Sequence, residues 1–240
     1  MSALNFYNIF ILCMHLAVTC WALPTQKCKI EDAACLKAAA QSMVPTLAAG
    51  MPEMKTEPLD IMRVESIKVD LAGLKLNIKD ADVKGLKKTV IDKISIDMAK
   101  KEIYLVYHAD ILMKGHYKAS GRLLILPISG DGETVIKLKN LQMEMTIPFD
   151  IIKNSDGKDV LDLKSYKFKY DVKTNANFHM TNLFNGNKVL SDTLHNFMNE
   201  NWKALSIEFG APMLESPNAK IFNTLKKFFK AQPLEDIAEY

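Results

Sequence analysis

Residues 182–231 read NLFNGNKVLSDTLHNFMNENWKALSIEFGAPMLESPNAKIFNTLKKFFKA. Leu190, Leu194, Phe197, Met198, Trp202, Leu205 and Phe209 recur there at steps of three and four, which marks one apolar helix face. A break is expected at Gly210–Pro212 and another at Pro217, after which Phe222, Leu225 and Phe229 resume the spacing. The rest of the chain is patterned mainly for strands. A helix with so many large apolar side chains needs a concave apolar partner, and the preceding strands are the material available to supply it.

Those strands begin at Ser66. Ile67, Val69 and Leu71 alternate with polar neighbours, and the apolar set then moves to Leu74, Leu76 and Ile78 across Gly73. A slip of one residue at a glycine predicts a β-bulge. Further runs cover Ile94 to Met98, Ile103 to Met113 and His116 to Ile128, with a turn expected at Gly130-Asp-Gly132. A second slip follows Asn140, where Ile136 and Leu138 give way to Leu141, Met143, Met145, Ile147 and Phe149. Asn154-Ser-Asp-Gly157 reads as a hairpin turn. A third slip separates Leu161 and Leu163 from Tyr166, Phe168, Tyr170 and Val172, and a short strand holds Ala176, Phe178 and Met180. Long strands with repeated bulges predict a strongly coiled antiparallel sheet, apolar on one face and wetted on the other. Such a sheet would wrap the late helix and leave room beside it for an oily guest.

The N-terminal part carries other information. Residues 1–22, MSALNFYNIFILCMHLAVTCWA, contain no charged side chain and end with small residues before a cut after Ala22. They are expected to be a secretory signal peptide, leaving residues 23–240 as one large extracellular domain. Cys13 and Cys20 leave with that leader, so Cys28 and Cys35 remain. In an oxidising compartment these two are expected to pair, with about 2 kcal/mol or slightly more of stabilisation. Residues 31–44 read as an alanine-rich helix that Pro45 ends or bends, and residues 51–65 as a connector.

A net charge of +3 provides no concentrated basic footprint for nucleic acid. No G-x-S-x-G, H-E-x-x-H or phosphate-loop motif is present, so the chain is expected not to be an enzyme and to need no cofactor. Gly130-Asp-Gly132-Glu-Thr-Val135 starts like a dinucleotide fingerprint without its third glycine. His108, His116, His179 and His195 are scattered and form no metal-ligand pair.

The remaining chemistry is soft and apolar. Met98, Met113, Met143 and Met145, with Met180, Met198 and Met213, fall on inward positions. So do Phe168, Phe178, Phe197, Phe209 and Phe222, with Trp202 beside them. Methionine adapts its shape, which suits a wall that must accept a flexible chain. Core filling is the plainer reading of any one of these residues. Tyr107, Tyr117, Tyr166 and Tyr170 are candidates for a polar contact to the guest. Ten buried methylenes at about 0.8 kcal/mol each give roughly 8 kcal/mol, less several for association. The segment Leu225-Lys-Lys-Phe-Phe-Lys230 admits transient contact with a membrane or receptor, against the plainer reading of a solvated helix face.

In order along the chain, a secretory leader, Cys28 and Cys35, Asn77-Ile-Lys-Asp-Ala-Asp-Val-Lys-Gly-Leu86, Asn182-Leu-Phe-Asn-Gly-Asn187 and Asn196-Phe-Met-Asn-Glu-Asn-Trp202 resemble the insect takeout and haemolymph juvenile-hormone-binding protein family. The resemblance implies an α+β fold: a long C-terminal helix wrapped by a highly curved antiparallel β-sheet, with a short N-terminal helix. This is the TULIP-like half-module of bacterial-permeability-type lipid-transfer proteins. It also implies an elongated apolar tunnel for a terpenoid, fatty acid or other lipid. Members bind juvenile hormone or similar lipids in haemolymph, or act in feeding and behaviour. The hormone-binding proteins proper carry a second, distal disulfide; this chain has no cysteine after Cys35 and so resembles the takeout branch. Ligand-wall residues are expected among Met98, Met113, Met143, Met145, Tyr166, Phe168, Tyr170, Phe178, Phe197, Trp202, Phe209 and Phe222. The expected state is a monomeric carrier; the alternative is a secreted interaction protein with a filled core, acting through its surface.

Overall fold

The structure, a computed structural model, describes residues 27–239, so the expected leader with Cys13 and Cys20 lies outside the described residues. A short strand β1 (Cys28–Lys29) leads into helix α1 (Ala33–Ala49). The Asp32 carboxylate accepts from the Cys35 amide at 2.9 Å and caps that helix. Cys28 and Cys35 are joined by a disulfide. It ties β1 to the first turn of α1, and β1 pairs in parallel with β9 (Ala238–Glu239), so the first and last of the described residues meet there. Pro45 sits inside α1 instead of ending it.

The main sheet contains β2 (Met62–Leu71), β3 (Leu74–Lys84), β4 (Val90–Asp97), β5 (Glu102–Leu123), β6 (Leu126–Lys153), β7 (Asp159–Leu163) and β8 (Lys167–Met180). Its order is β2-β3-β5-β6-β7, with β4 on β5 and β8 on β6, and every pairing is antiparallel. The 22 residues of β5 and the 28 of β6 are the spine. Strands of that length accumulate the natural right-handed twist, so the sheet coils into a half-barrel instead of lying flat. Register shifts at Lys79/Asp82, Ala109/Ile111 and Lys139/Leu141 add bends. At the last of these Asn140 has φ 55, and its amide donates to the Asp110 carboxylate at 2.8 Å.

Several strand expectations need correction. The slip at Gly73 is a two-residue hairpin, since Leu71 pairs with Leu74, and β2 already starts at Met62 within the expected connector. The runs Ile103–Met113 and His116–Ile128 are chiefly one strand, β5, and its turn lies at Leu124–Ile125, not at Gly130–Gly132. Gly130 and Gly132 lie within β6, where they make room for a neighbour. A Cβ on Gly130 would stand 2.3 Å from the Tyr117 hydroxyl oxygen, which donates to Thr181 O at 2.7 Å. The third slip marks the gap between β7 and β8, while the slip at Asn140 is a bulge as expected.

After β8 come α2 (Lys188–Glu200), α3 (Trp202–Ala231) and the one-turn α4 (Leu234–Ile237). Asn187 caps α2 by accepting from the Leu190 amide at 3.1 Å. The helical stretch breaks at Asn201, not at Gly210–Pro212 or Pro217; α3 runs through both prolines. Proline has no amide hydrogen to donate at 212 or 217, so packing must hold α3 together across those turns. It has that packing: α3 touches β2 on one side and β7 and β8 on the other. Leu194, Met198, Leu205, Phe209 and Phe222 are buried, whereas Leu190, at the start of the expected apolar face, is exposed.

Side chains also occupy the sheet margins. Gln41 of α1 donates to Thr89 O at 3.0 Å and accepts from the Ile91 amide at 2.8 Å. On β8, the Phe178 amide donates to Asn199 Oδ1 at 2.8 Å and the Met180 amide to His195 Nε2 at 3.0 Å. These bonds cover strand groups that would otherwise invite another chain.

Two outcomes follow. Gly130→Ala is expected to destabilise by about 1–3 kcal/mol, because the new methyl displaces the Tyr117 hydroxyl; denaturant unfolding measures it. Burial, and next the stacked His179 ring, hold the His195 pKa below its ordinary 6.5. The folded protein therefore takes up this proton less readily than the unfolded chain. The stability tied to neutral His195 is complete above pH 6.5 and is lost as pH falls through the lowered folded value. As pH falls from 7.5 to 5, His195 lowers the unfolding midpoint, whereas His116, whose pKa its hydrogen bonds to Glu133 and Asp131 raise, works in the opposite direction. His195→Gln should remove the first contribution, so its midpoint should fall less, or rise more, than that of the native protein over the same range.

Candidate functional site

The concave face of the sheet and the inner face of α3 do not meet fully. Between them lies a cavity of ≈ 120 Å³. Its strand walls include Ile78, Val83, Met113, Ile136 and Met143, and its helix wall includes Leu205, Phe209, Met213 and Asn218. From Leu205 to Ile221 the helix wall spans about 24 Å at roughly 1.5 Å per residue. The void is therefore long and narrow.

Local sequence explains why its walls are apolar. In β6, Ile136 and Leu138 point inward, and the extra residue at the Asn140 bulge lets Leu141 and Met143 point inward as well. Without that residue the strand's two-residue period would turn one set outward. No lining side chain carries a formal charge; the polar ones are Tyr107, Thr134, Tyr170, Ser206 and Asn218. Met113, Met143, Met180, Met198 and Met213 contribute flexible wall.

Of the expected wall residues, Met113, Met143, Tyr170, Phe178 and Phe209 line this cavity. Met145 is fully buried in the core away from it. Met98, Phe197 and Trp202 are half-buried against the core and do not line it. Tyr166, Phe168 and Phe222 also stand apart from the lining. Tyr166 packs on Phe222 with ring centroids 4.9 Å apart and on Phe168 at 6.2 Å, so this ladder fastens β8 to α3. Asn218 belongs to no sequence motif but lines the cavity; it follows Leu214 by four residues and precedes Phe222 by four, a polar residue on the inward helical face.

The tyrosines differ in what their hydroxyls do. Tyr117 donates to Thr181 O at 2.7 Å, and Tyr166 to Glu215 at 3.4 Å. Tyr170 donates to Ser206 O at 2.9 Å with its ring against Gly210, and burial pushes its phenol pKa up. Tyr107 is buried, which pushes its pKa up strongly, and its hydroxyl has no hydrogen-bond partner among the described residues. Asn218 Nδ2 is in the same position. Among the described residues no group of three or more His, Cys, Asp or Glu could hold a metal ion.

The basic segment at the end of α3 tucks Phe228 against Met43 and Met51 in a small second core. No helix of the described residues is long and apolar enough to cross a membrane.

A coiled antiparallel sheet closed by one long helix over an uncharged cavity defines a binding protein for an apolar small molecule. The chain belongs to the haemolymph juvenile hormone binding protein (JHBP) family, whose model matches residues 9–239. Takeout 1 of Epiphyas postvittana, a crystal structure, superposes with a TM-score of 0.87 at 44% identity, covering 89% of this chain and 99% of that one. The circadian clock-controlled protein daywake of Drosophila melanogaster is 28% identical over 214 residues, 84% of this chain and 82% of its own. A putative beta-carotene-binding protein of Schistocerca gregaria is 25% identical over 137 residues, 54% of this chain and 53% of its own. The members of this family are binding proteins, not enzymes.

A Cβ at Gly210 would lie 2.6 Å from Tyr170 Cε2 and 2.8 Å from its hydroxyl oxygen. Gly210→Ala should gain roughly 1 kcal/mol of helix propensity yet lose about 1–3 kcal/mol by expelling the ring. The expected net result is a lower melting temperature, and Gly210→Ala with Tyr170→Ala should recover the propensity gain relative to Tyr170→Ala alone.

Proposed function

We propose that the protein is a secreted, monomeric carrier of a hydrophobic small molecule, a juvenile-hormone-like terpenoid or another lipid. Residues 1–22 serve as the secretory leader, and residues 23–240 form the single ligand-binding domain. The observation that carries this reading is the uncharged cavity enclosed between the sheet and α3. A chain selected only for its surface has no use for an unfilled, methionine-rich interior, since cavities destabilise. The family's hormone-binding description and the carotene-binding relative support an apolar ligand.

Met113, Met143, Tyr170, Phe178 and Phe209 form part of the wall that meets the ligand. The cavity is narrow, so a guest enters by re-packing those methionine side chains. Apolar burial supplies the affinity, at about 0.8 kcal/mol per methylene before association costs.

Protein recovered from the medium of secreting cells should release a lipid-soluble compound on solvent extraction, visible by native mass spectrometry before extraction. Stripped protein should bind an environment-sensitive apolar fluorophore saturably, and long-chain lipids should displace it. An empty protein that takes up no such probe would favour the filled-core interaction reading.

A further inference from the structure

We propose that Tyr107 and Asn218 form a polar subsite that recognises a neutral hydrogen-bond acceptor on the ligand, such as the carbonyl of an ester, ketone or aldehyde. The inference rests on the carrier reading and specifies which chemistry the cavity selects. Tyr107 comes from β5 and Asn218 from α3, so the sheet wall and the helix wall each contribute one group to the same cavity. Tyr107 is 5% exposed and Asn218 2% exposed. Their hydroxyl and Nδ2 are buried without a hydrogen-bond partner among the described residues.

Buried polar groups are almost always paired, and an orphan is costly to keep. Phenylalanine and leucine would fill the same spaces without that penalty. Tyr104, Tyr117, Tyr166 and Tyr170 all have their hydroxyls engaged by protein oxygens. Tyr107 is thus the tyrosine of the cavity wall whose donor is uncommitted. Each of these donors sits in the wall of the same apolar cavity and is satisfied by an oxygen that only accepts, reached as the guest re-packs the side chains around it.

The subsite also discriminates by charge. With no cationic side chain in the lining, a carboxylate would be buried without a counter-charge, which is strongly unfavourable. A pure hydrocarbon would leave both donors unmet. An ester or ketone of the same length avoids both penalties.

The test uses the stripped full-length secreted protein and displacement of a bound apolar fluorophore by methyl palmitate, palmitate and hexadecane. The ester is expected to displace the probe at about tenfold lower concentration than either competitor. Tyr107→Phe and Asn218→Leu should each collapse the ester-to-hydrocarbon ratio by about five- to tenfold. Both variants should match or exceed the native melting temperature in the ligand-free state, because each removes an orphaned group. Tyr104→Phe, whose hydroxyl bonds Glu144, is the control and should keep the native ratio. Equal displacement by ester and hydrocarbon, or a native ratio in both cavity variants, would overturn the subsite while leaving the carrier intact. Failure of the native protein to bind the fluorophore at all would overturn both.

Discussion

A coiled sheet with one apolar face cannot leave that face in water, and here the two flanks of the sheet do not meet. Helix α3 spans the opening, touching β2 on one flank and β7 and β8 on the other. Everything else in the structure depends on that closure. It buries Leu205, Phe209, Leu214 and Phe222 of the helix together with the concave face. It also explains why two prolines are tolerated in the helix. The tertiary contacts on both flanks hold α3 in register where its own ladder lacks donors.

Closure by a single helix leaves the interior incompletely filled. A helix is a rod about 10 Å across, whereas a sheet coiled over strands of 22 and 28 residues encloses a wider trough. The difference appears as the long, narrow cavity, and methionines from the sheet and from both helices are interleaved with the branched aliphatic side chains of its wall. A void lined this way can change shape at little cost, which suits a guest that is itself flexible. The sheet margins are guarded separately. Gln41 of α1 at the β4 margin, and His195 and Asn199 of α2 at the β8 margin, take the hydrogen bonds that another strand would seek. Those polar bonds limit edge pairing and leave the greasy face to its proper partner.

The readable and unreadable parts of the chain separate by the range of the interaction responsible. The periodicity of residues 182–231 and the slip after Asn140 were legible because each reports which face of one element is apolar. The Gly73 slip and the Gly130–Gly132 turn were misread for one reason: a glycine alone does not say whether it serves a turn or a close approach. At Gly130 the deciding fact is the Tyr117 hydroxyl, which reaches it from a strand paired across the hairpin. The methionine and aromatic set was legible as inward-facing, but which members meet the void was not. Tyr166, Phe168 and Phe222 instead form the seam between β8 and α3.

By itself the sequence determined the α+β class, the late helix with its apolar face, the phase change at Asn140 and the absence of catalytic motifs. All of these follow from spacing, because the helix and strand periods are properties of a single segment. Tertiary structure alone decided how far the sheet coils, where the helix breaks and which polar atoms are left without partners. Tyr107 looks no different from Tyr117 in the sequence; one hydroxyl finds Thr181 O and the other does not. That difference depends on where a distant strand end passes, and no local pattern records it.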